Sequence, residues 1–195
     1  MRLLYLIIIL FCESACAKSF SNDLAAAAIE RTRHQITYDG SYFSIAYPNG
    51  DVSSNIGVCT DVIIRAYRAL GVDLQQLLHE DMRNNFSRYP SKRIWGLNAP
   101  DSNIDHRRVP NLQAYFTRFG TSLAVSANKN DYAAGDIVTW MLAGNQPHIG
   151  IVTNKKSASG NPLIVHNSGA GPKLDDALFA YRLSGHYRFV PKSYR

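Results

Sequence analysis

The hydrophobic pattern of this chain changes period at Gly120. Before it, apolar residues recur every three or four positions; after it, they alternate or run in short blocks between Gly, Asn, Pro and Ser. Ser21 to His34 reads as a helix with Ser, Asn and Asp available to cap its start and with Arg31, Arg33 and His34 at its negative end. From Val58 to Leu70 the stripes Val58, Val62, Ala66, Leu70 and Cys59, Ile63, Tyr67 lie side by side, with Asp61, Arg65 and Arg68 opposite. This spacing predicts a half-buried helix ending at Gly71, with Asp61 and Arg65 paired on its exposed face. Another helix is expected from Asp73, with Gln76 completing a capping box and Leu74, Leu77, Leu78 and Met82 as its apolar face. A third follows Pro110 through Leu112, Tyr115, Phe116 and Phe119. Strands are expected at Asp136–Met141, His148–Val152, Pro162–His166 and His186–Val190. Residues 36–53, with Tyr38, Tyr42, Phe43 and Tyr47 around Gly40, read as irregular or short-strand structure. Residues 87–108, without a period, read as a lid or binding loop. Helices first and strands afterwards describe an α+β domain with an antiparallel sheet.

Residues 1–17 break from this plan. Arg2 precedes an apolar run from Leu3 to Phe11, and Ala15-Cys16-Ala17 offers a small-residue cleavage pattern before Lys18. That is the layout of an export signal, too short to span a bilayer comfortably. Two alternatives are an acylated Cys16, against which Glu13 stands where such signals carry an aliphatic residue, and a retained N-terminal anchor. Export places residues 18–195 in the periplasm or outside the cell, as a single domain with no membrane span remaining; a monomer is expected. Cys12 and Cys16 leave with the signal, so Cys59 is then the sole cysteine and no internal disulfide is possible. Cleavage removes one charge of each sign and leaves the net charge at +6. A basic exported protein suits an anionic wall or membrane surface, and no Lys/Arg-rich run with interleaved aromatics argues for nucleic acid.

An exported chain has little use for a free thiol, so Cys59 is either a small buried hydrophobe or a reacting group. Its place at the front of a helix favours chemistry, because unpaired N–H groups and the dipole favour the thiolate. A thiol of pKa about 8.5 is about 3% ionised at pH 7, whereas one at about 6 is about 90% thiolate. An imidazole alongside lowers it further and later protonates the leaving group. A third polar group then fixes which ring nitrogen faces the sulfur.

Gly57-Val58-Cys59-Thr60-Asp61, Gly135-Asp136-Ile137-Val138, His148-Ile149-Gly150-Ile151-Val152 and Ile164-Val165-His166-Asn167 together resemble the NlpC-type, papain-like cysteine peptidases of bacterial cell walls. The resemblance implies a papain-like fold, N-terminal helices with the nucleophile helix packed on a small antiparallel sheet or half-barrel. It implies Cys59 as nucleophile, His148 as base, His166 as orienting group and the backbone N–H of Cys59 as an oxyanion donor. A longer stretch, from about Tyr38 to Phe189, is similar to a bacterial domain family of unknown function, through Asp73-Leu74-Gln75, the Asn103 to Leu112 segment and Gly185-His186-Tyr187-Arg188. Two departures stand out. Val58 occupies the place of the usual Asp before the cysteine, and the interval from His148 to His166 is lengthened by a hairpin loop over Lys155 to Asn161. His166 is preferred to Asn167, since successive strand residues face opposite sides.

His106, Arg107, Arg108 and Asn167 are candidate substrate contacts. The two arginines can hold a carboxylate by bidentate bonds, or form an ordinary exposed basic turn. The expectation is an exported cysteine amidohydrolase or peptidase acting on peptidoglycan stem peptides through a thioester resolved by water, with peptidoglycan or its fragments as partner, no cofactor and no metal. Resolution by an amine makes the same site a transpeptidase or amide transferase. Two other classes stay open: zinc held by Cys59, His148 and His166, or a wall-binding or inhibitory module that kept the fold without turnover.

Overall fold

The computed structural model describes residues 19–194, so the expected export signal lies outside the described residues. A helix runs through residues 19–31 (α1), followed by β1 (Thr37–Tyr38), β2 (Ile56–Gly57), α2 (Cys59–Ala69), α3 (Leu74–Asn85), α4 (Ser91–Trp95) and α5 (Val109–Phe119). The strands β3 (Thr121–Ser122), β4 (Ile137–Leu142), β5 (Gln146–Lys156), β6 (Pro162–Asn167), β7 (Pro172–Asp175) and β8 (Arg182–Arg188) complete the chain. They form one antiparallel sheet in the order β3-β8-β4-β5-β6-β7, while β1 and β2 pair in parallel. The fold is therefore α+β, with helices before the sheet in sequence and against it in space.

One face of the sheet, carrying Ile137, Ile149, Ile151 and Val165, packs with Ile63 and Tyr67 of α2 and Phe116 of α5 in the main core. The other carries Val138, Trp140, Val152 and Ile164 in a smaller cluster with Ala177 and Leu178. Trp140 pairs with His148 across β4 and β5, Ile151 with Val165 across β5 and β6, and His166 with Lys173 across β6 and β7.

Helix α2 differs from its expected half-buried state, since every residue from Cys59 to Tyr67 is buried. The segments around β1 and around the 3-10 turn Asp105–Arg107 cover the side that its charges occupy. Asp61 and Arg65 accordingly do not pair with each other. Asp61 takes the Arg107 guanidinium, and Arg65 takes Asp51. At α3, Asp73 caps the Gln75 N–H as expected, but Gln76 turns to Glu80 in place of closing a capping box. The segment 87–108 is not structureless: it holds α4, closed by Gly96 at φ 68°, and the 3-10 turn. Among the described residues no helix is long and apolar enough to cross a membrane.

Candidate active site

The turn from β2 into α2 is fastened from three directions. Val58, the extended residue before the helix, donates its N–H to Asp61 Oδ2 at 2.7 Å. Arg107 grips both oxygens of Asp61 at 3.0 Å, and its own carbonyl accepts the Thr60 hydroxyl at 3.1 Å. Asn167 donates to the Gly57 carbonyl at 3.3 Å. These bonds hold Cys59 as the first residue of the helix. The backbone N–H groups of Ile149, Thr60 and Cys59 and the Tyr38 hydroxyl stand near its sulfur. Ile149 follows His148, which sets the thiol beside the start of the histidine strand.

The thiol is nonetheless pushed up to about 12, by burial first and by the Asp61 carboxylate second, with the three N–H groups acting the other way. Helix-end acidification, expected from the sequence, is outweighed because the residue is only 5% exposed. Tyr38 is also pushed up to about 12, chiefly by burial and then by the neighbouring sulfur.

His148 Nε2 and His166 Nδ1 lie 2.9 Å apart with their rings nearly perpendicular, at 84°. The register that pairs Ile151 with Val165 continues to set His166 opposite Gly150, two residues from His148 and on the same face. The Trp140 ring packs against both imidazoles in tilted geometry, with centroids 5.7 Å from His148 and 6.1 Å from His166. Burial, then the neighbouring His166, pushes His148 down to about 4. Burial and the Lys173 ammonium lower His166, while Asp175 opposes them. With Nε2 engaged by His166, Nδ1 is the nitrogen His148 has left; among the described residues no hydrogen bond joins it to Cys59, and His148, paired with Trp140, alternates with the Ile149 that packs on the α2 side of the sheet.

Cys59 opens on a cleft of 260 Å³ whose walls include Tyr38, Trp95, Arg108, Val109 and Pro147. The Arg108 guanidinium stacks 4.3 Å over the Trp95 ring and spends one nitrogen on Asp105 at 3.0 Å, which leaves donors for a ligand. The lining of this cleft reaches Pro147 but includes neither His148 nor His166. A larger cleft of 680 Å³ lies between α3, α5 and the C-terminal segment and holds no cysteine.

The other expected substrate contacts are engaged inside the protein. Arg107 is bonded to Asp61 and to the carbonyls of Asp39 and Ser41, His106 is 2% exposed and pushed down to about 3 by burial, and Asn167 is fully buried with its oxygen on the Gly169 N–H. For the zinc alternative, the described residues contain no group of three or more His, Cys, Asp or Glu side chains placed to hold a metal, and the two imidazoles aim nitrogens at each other. Sequence reasoning passed over Tyr38, Trp95 and Trp140. Only the cluster of aromatics around Gly40 and the lone tryptophan in an aperiodic stretch hinted at the first two.

Residues 25–189 match the model of a domain of unknown function, DUF1287. Over 169 residues the chain is 48% identical to "Uncharacterized protein YijF" of Escherichia coli (strain K12), covering 87% of this chain and 82% of that one. Among solved structures, NlpC1 from Trichomonas vaginalis is similar at 16% identity with a TM-score of 0.46, over 88% of this chain and 45% of that one. The chain thus spans less than half the length of that protein.

Proposed function

We propose that this chain, which belongs to the DUF1287 family of domains of unknown function, is an exported cysteine amidohydrolase or peptidase that cuts amide bonds in peptidoglycan stem peptides. The observation that carries the reading is a helix-end thiol on the Ile149 N–H, next in sequence to an imidazole that is itself oriented by a second imidazole at 2.9 Å. The resemblance of the cysteine and histidine segments to NlpC-type wall peptidases supports the substrate class, as does the net charge of +6.

In this reading Cys59 and His148 start neutral. The thiol proton passes to His148 Nδ1 as the sulfur attacks the amide carbonyl, and the negative charge gathers on the carbonyl oxygen near the helix-end N–H of Cys59. The protonated imidazole then gives its proton to the departing amine, and a thioester remains. His148 next takes a proton from water, whose oxygen attacks the thioester and releases the acid and the thiol. Tyr38 holds the sulfur from the cleft side. Arg108, with Trp95 beneath it, receives a carboxylate of the stem peptide.

Cys59→Ala is expected to abolish release of soluble peptides from purified cell wall while circular dichroism stays that of the native protein. His148→Ala is expected to lower release about a thousandfold. Undiminished release by either variant overturns the reading.

A further inference from the structure

We propose that Asp175 is the outer member of a relay of hydrogen bonds, His148–His166–Asp175, in which its carboxylate fixes which nitrogens of the imidazole pair carry hydrogen. The inference rests on the reading of Cys59 and His148 as nucleophile and base.

The argument is a count of hydrogens. His148 Nε2 and His166 Nδ1 are 2.9 Å apart, so one of the two carries the hydrogen they share. A neutral His148 that accepts the thiol proton on Nδ1 must carry its own hydrogen on Nε2, and therefore donates to His166 Nδ1. A neutral His166 must then carry its hydrogen on Nε2. That atom is buried and makes no hydrogen bond, and Asp175 Oδ2 stands 3.6 Å from it. Leaving a buried N–H without a partner is costly, and a movement of about 0.5 Å brings the two atoms into the normal N–H···O range.

The sheet register sets the carboxylate beside that atom. Asp175 is on β7, directly opposite Ile164 in the strand that carries His166, and its side chain is half-exposed. Lys173, opposite His166, holds the same carboxylate oxygen at 2.7 Å. The ionisable groups that face His166 are thus His148 from β5 and Lys173 and Asp175 from β7, with the Trp140 ring from β4 as an uncharged wall. Lys173 disfavours positive charge on His166 and Asp175 favours it. When the thiol loses its proton, one S–H bond breaks and one N–H bond forms at His148 Nδ1. The bonds from His148 to His166 and from His166 to Asp175 tighten around the new charge without breaking.

Alkylation of Cys59 by iodoacetamide, followed by mass spectrometry of the mature chain over about pH 5 to 9, reads this pair with no substrate present. Asp175→Asn and Asp175→Ala are expected to slow the reaction about tenfold throughout that range. Asp175→Glu, which restores a carboxylate, recovers part of the rate. In a His166→Ala background Asp175→Asn has no further effect, because the carboxylate acts only through that ring. Wild-type rates in the Asn and Ala variants overturn the relay and leave Cys59 and His148 standing, as does an equal loss with and without His166. Wild-type alkylation that His148→Ala leaves unchanged overturns the nucleophile–base reading, and the relay falls with it.

Discussion

Burial, more than any partner, sets the charge of the two groups that exchange a proton in the proposed reaction. It drives the Cys59 thiol up to about 12 and the His148 imidazole down to about 4, so both are neutral at pH 7. In the proposed reaction the pair then works as a serine and histidine do, with the proton moving during attack, and not as a standing thiolate and imidazolium. The acid limb of kcat/KM on a stem peptide is therefore expected at about 4, with activity present above it and lost as His148 gains a proton. A limb near the ordinary imidazole value of 6.5 contradicts a buried base. Arg107 belongs to the same small region without touching the thiol: it satisfies Asp61, which in turn holds the Val58 N–H in front of Cys59. Arg107→Ala leaves that carboxylate buried and unpaired, and urea denaturation should register a loss of about 3–5 kcal/mol. A loss below about 1 kcal/mol, the range of an exposed ion pair, argues against this role.

Strand β5 is where a sequence motif turns into geometry. A side chain on Gly150 would place its Cβ 2.6 Å from Ile164 Cγ2, 3.0 Å from the Val165 carbonyl and 3.1 Å from the Trp140 ring. The missing side chain lets β5 and β6 close with His148 and His166 within a hydrogen bond. Gly150→Ala is expected to cost about 1–3 kcal/mol in urea denaturation and to reduce thiol alkylation along with stability. Stability and reactivity both at wild-type level contradict the close packing. The runs Ile149 to Val152 and Leu163 to Val165 were legible as strands because they alternate or run apolar, and alternation was enough to set His166 and Asn167 on opposite faces. The two-residue β1 was legible only as part of an irregular or short-strand stretch, which hid the place of Tyr38 beside the thiol, and the polar β7, too short to show a period, left Asp175 unseen. Asp61 shows a different limit. The four-residue spacing favoured Arg65, but the partner that wins, Arg107, stands 46 residues away and becomes visible only once the chain has folded over α2.

Across the whole molecule, the order of helices and strands was enough to fix the α+β class, because each layer needs the other to bury its apolar face. Charge states were not legible, because they depend on how completely the layers close. The same closure makes stability depend on pH. His106 and His148 are pushed to about 3 and about 4, below the 6.5 they have when exposed, so between those values the unfolded chain binds more protons than the folded one. Their contribution is full above about 6.5 and is lost as pH falls towards the folded values. The urea midpoint should therefore drop between about pH 7.5 and 5.5, and His106→Gln should flatten the slope. A midpoint that holds steady across that window contradicts buried neutral histidines. Whether the closed architecture serves turnover is decided by incubating defined muropeptides with the wild-type protein and with Cys59→Ala and weighing the products by mass spectrometry. New peptide fragments or transfer products should appear with the wild type alone; the same products from both proteins, or none from either, contradict a cysteine nucleophile at the head of α2.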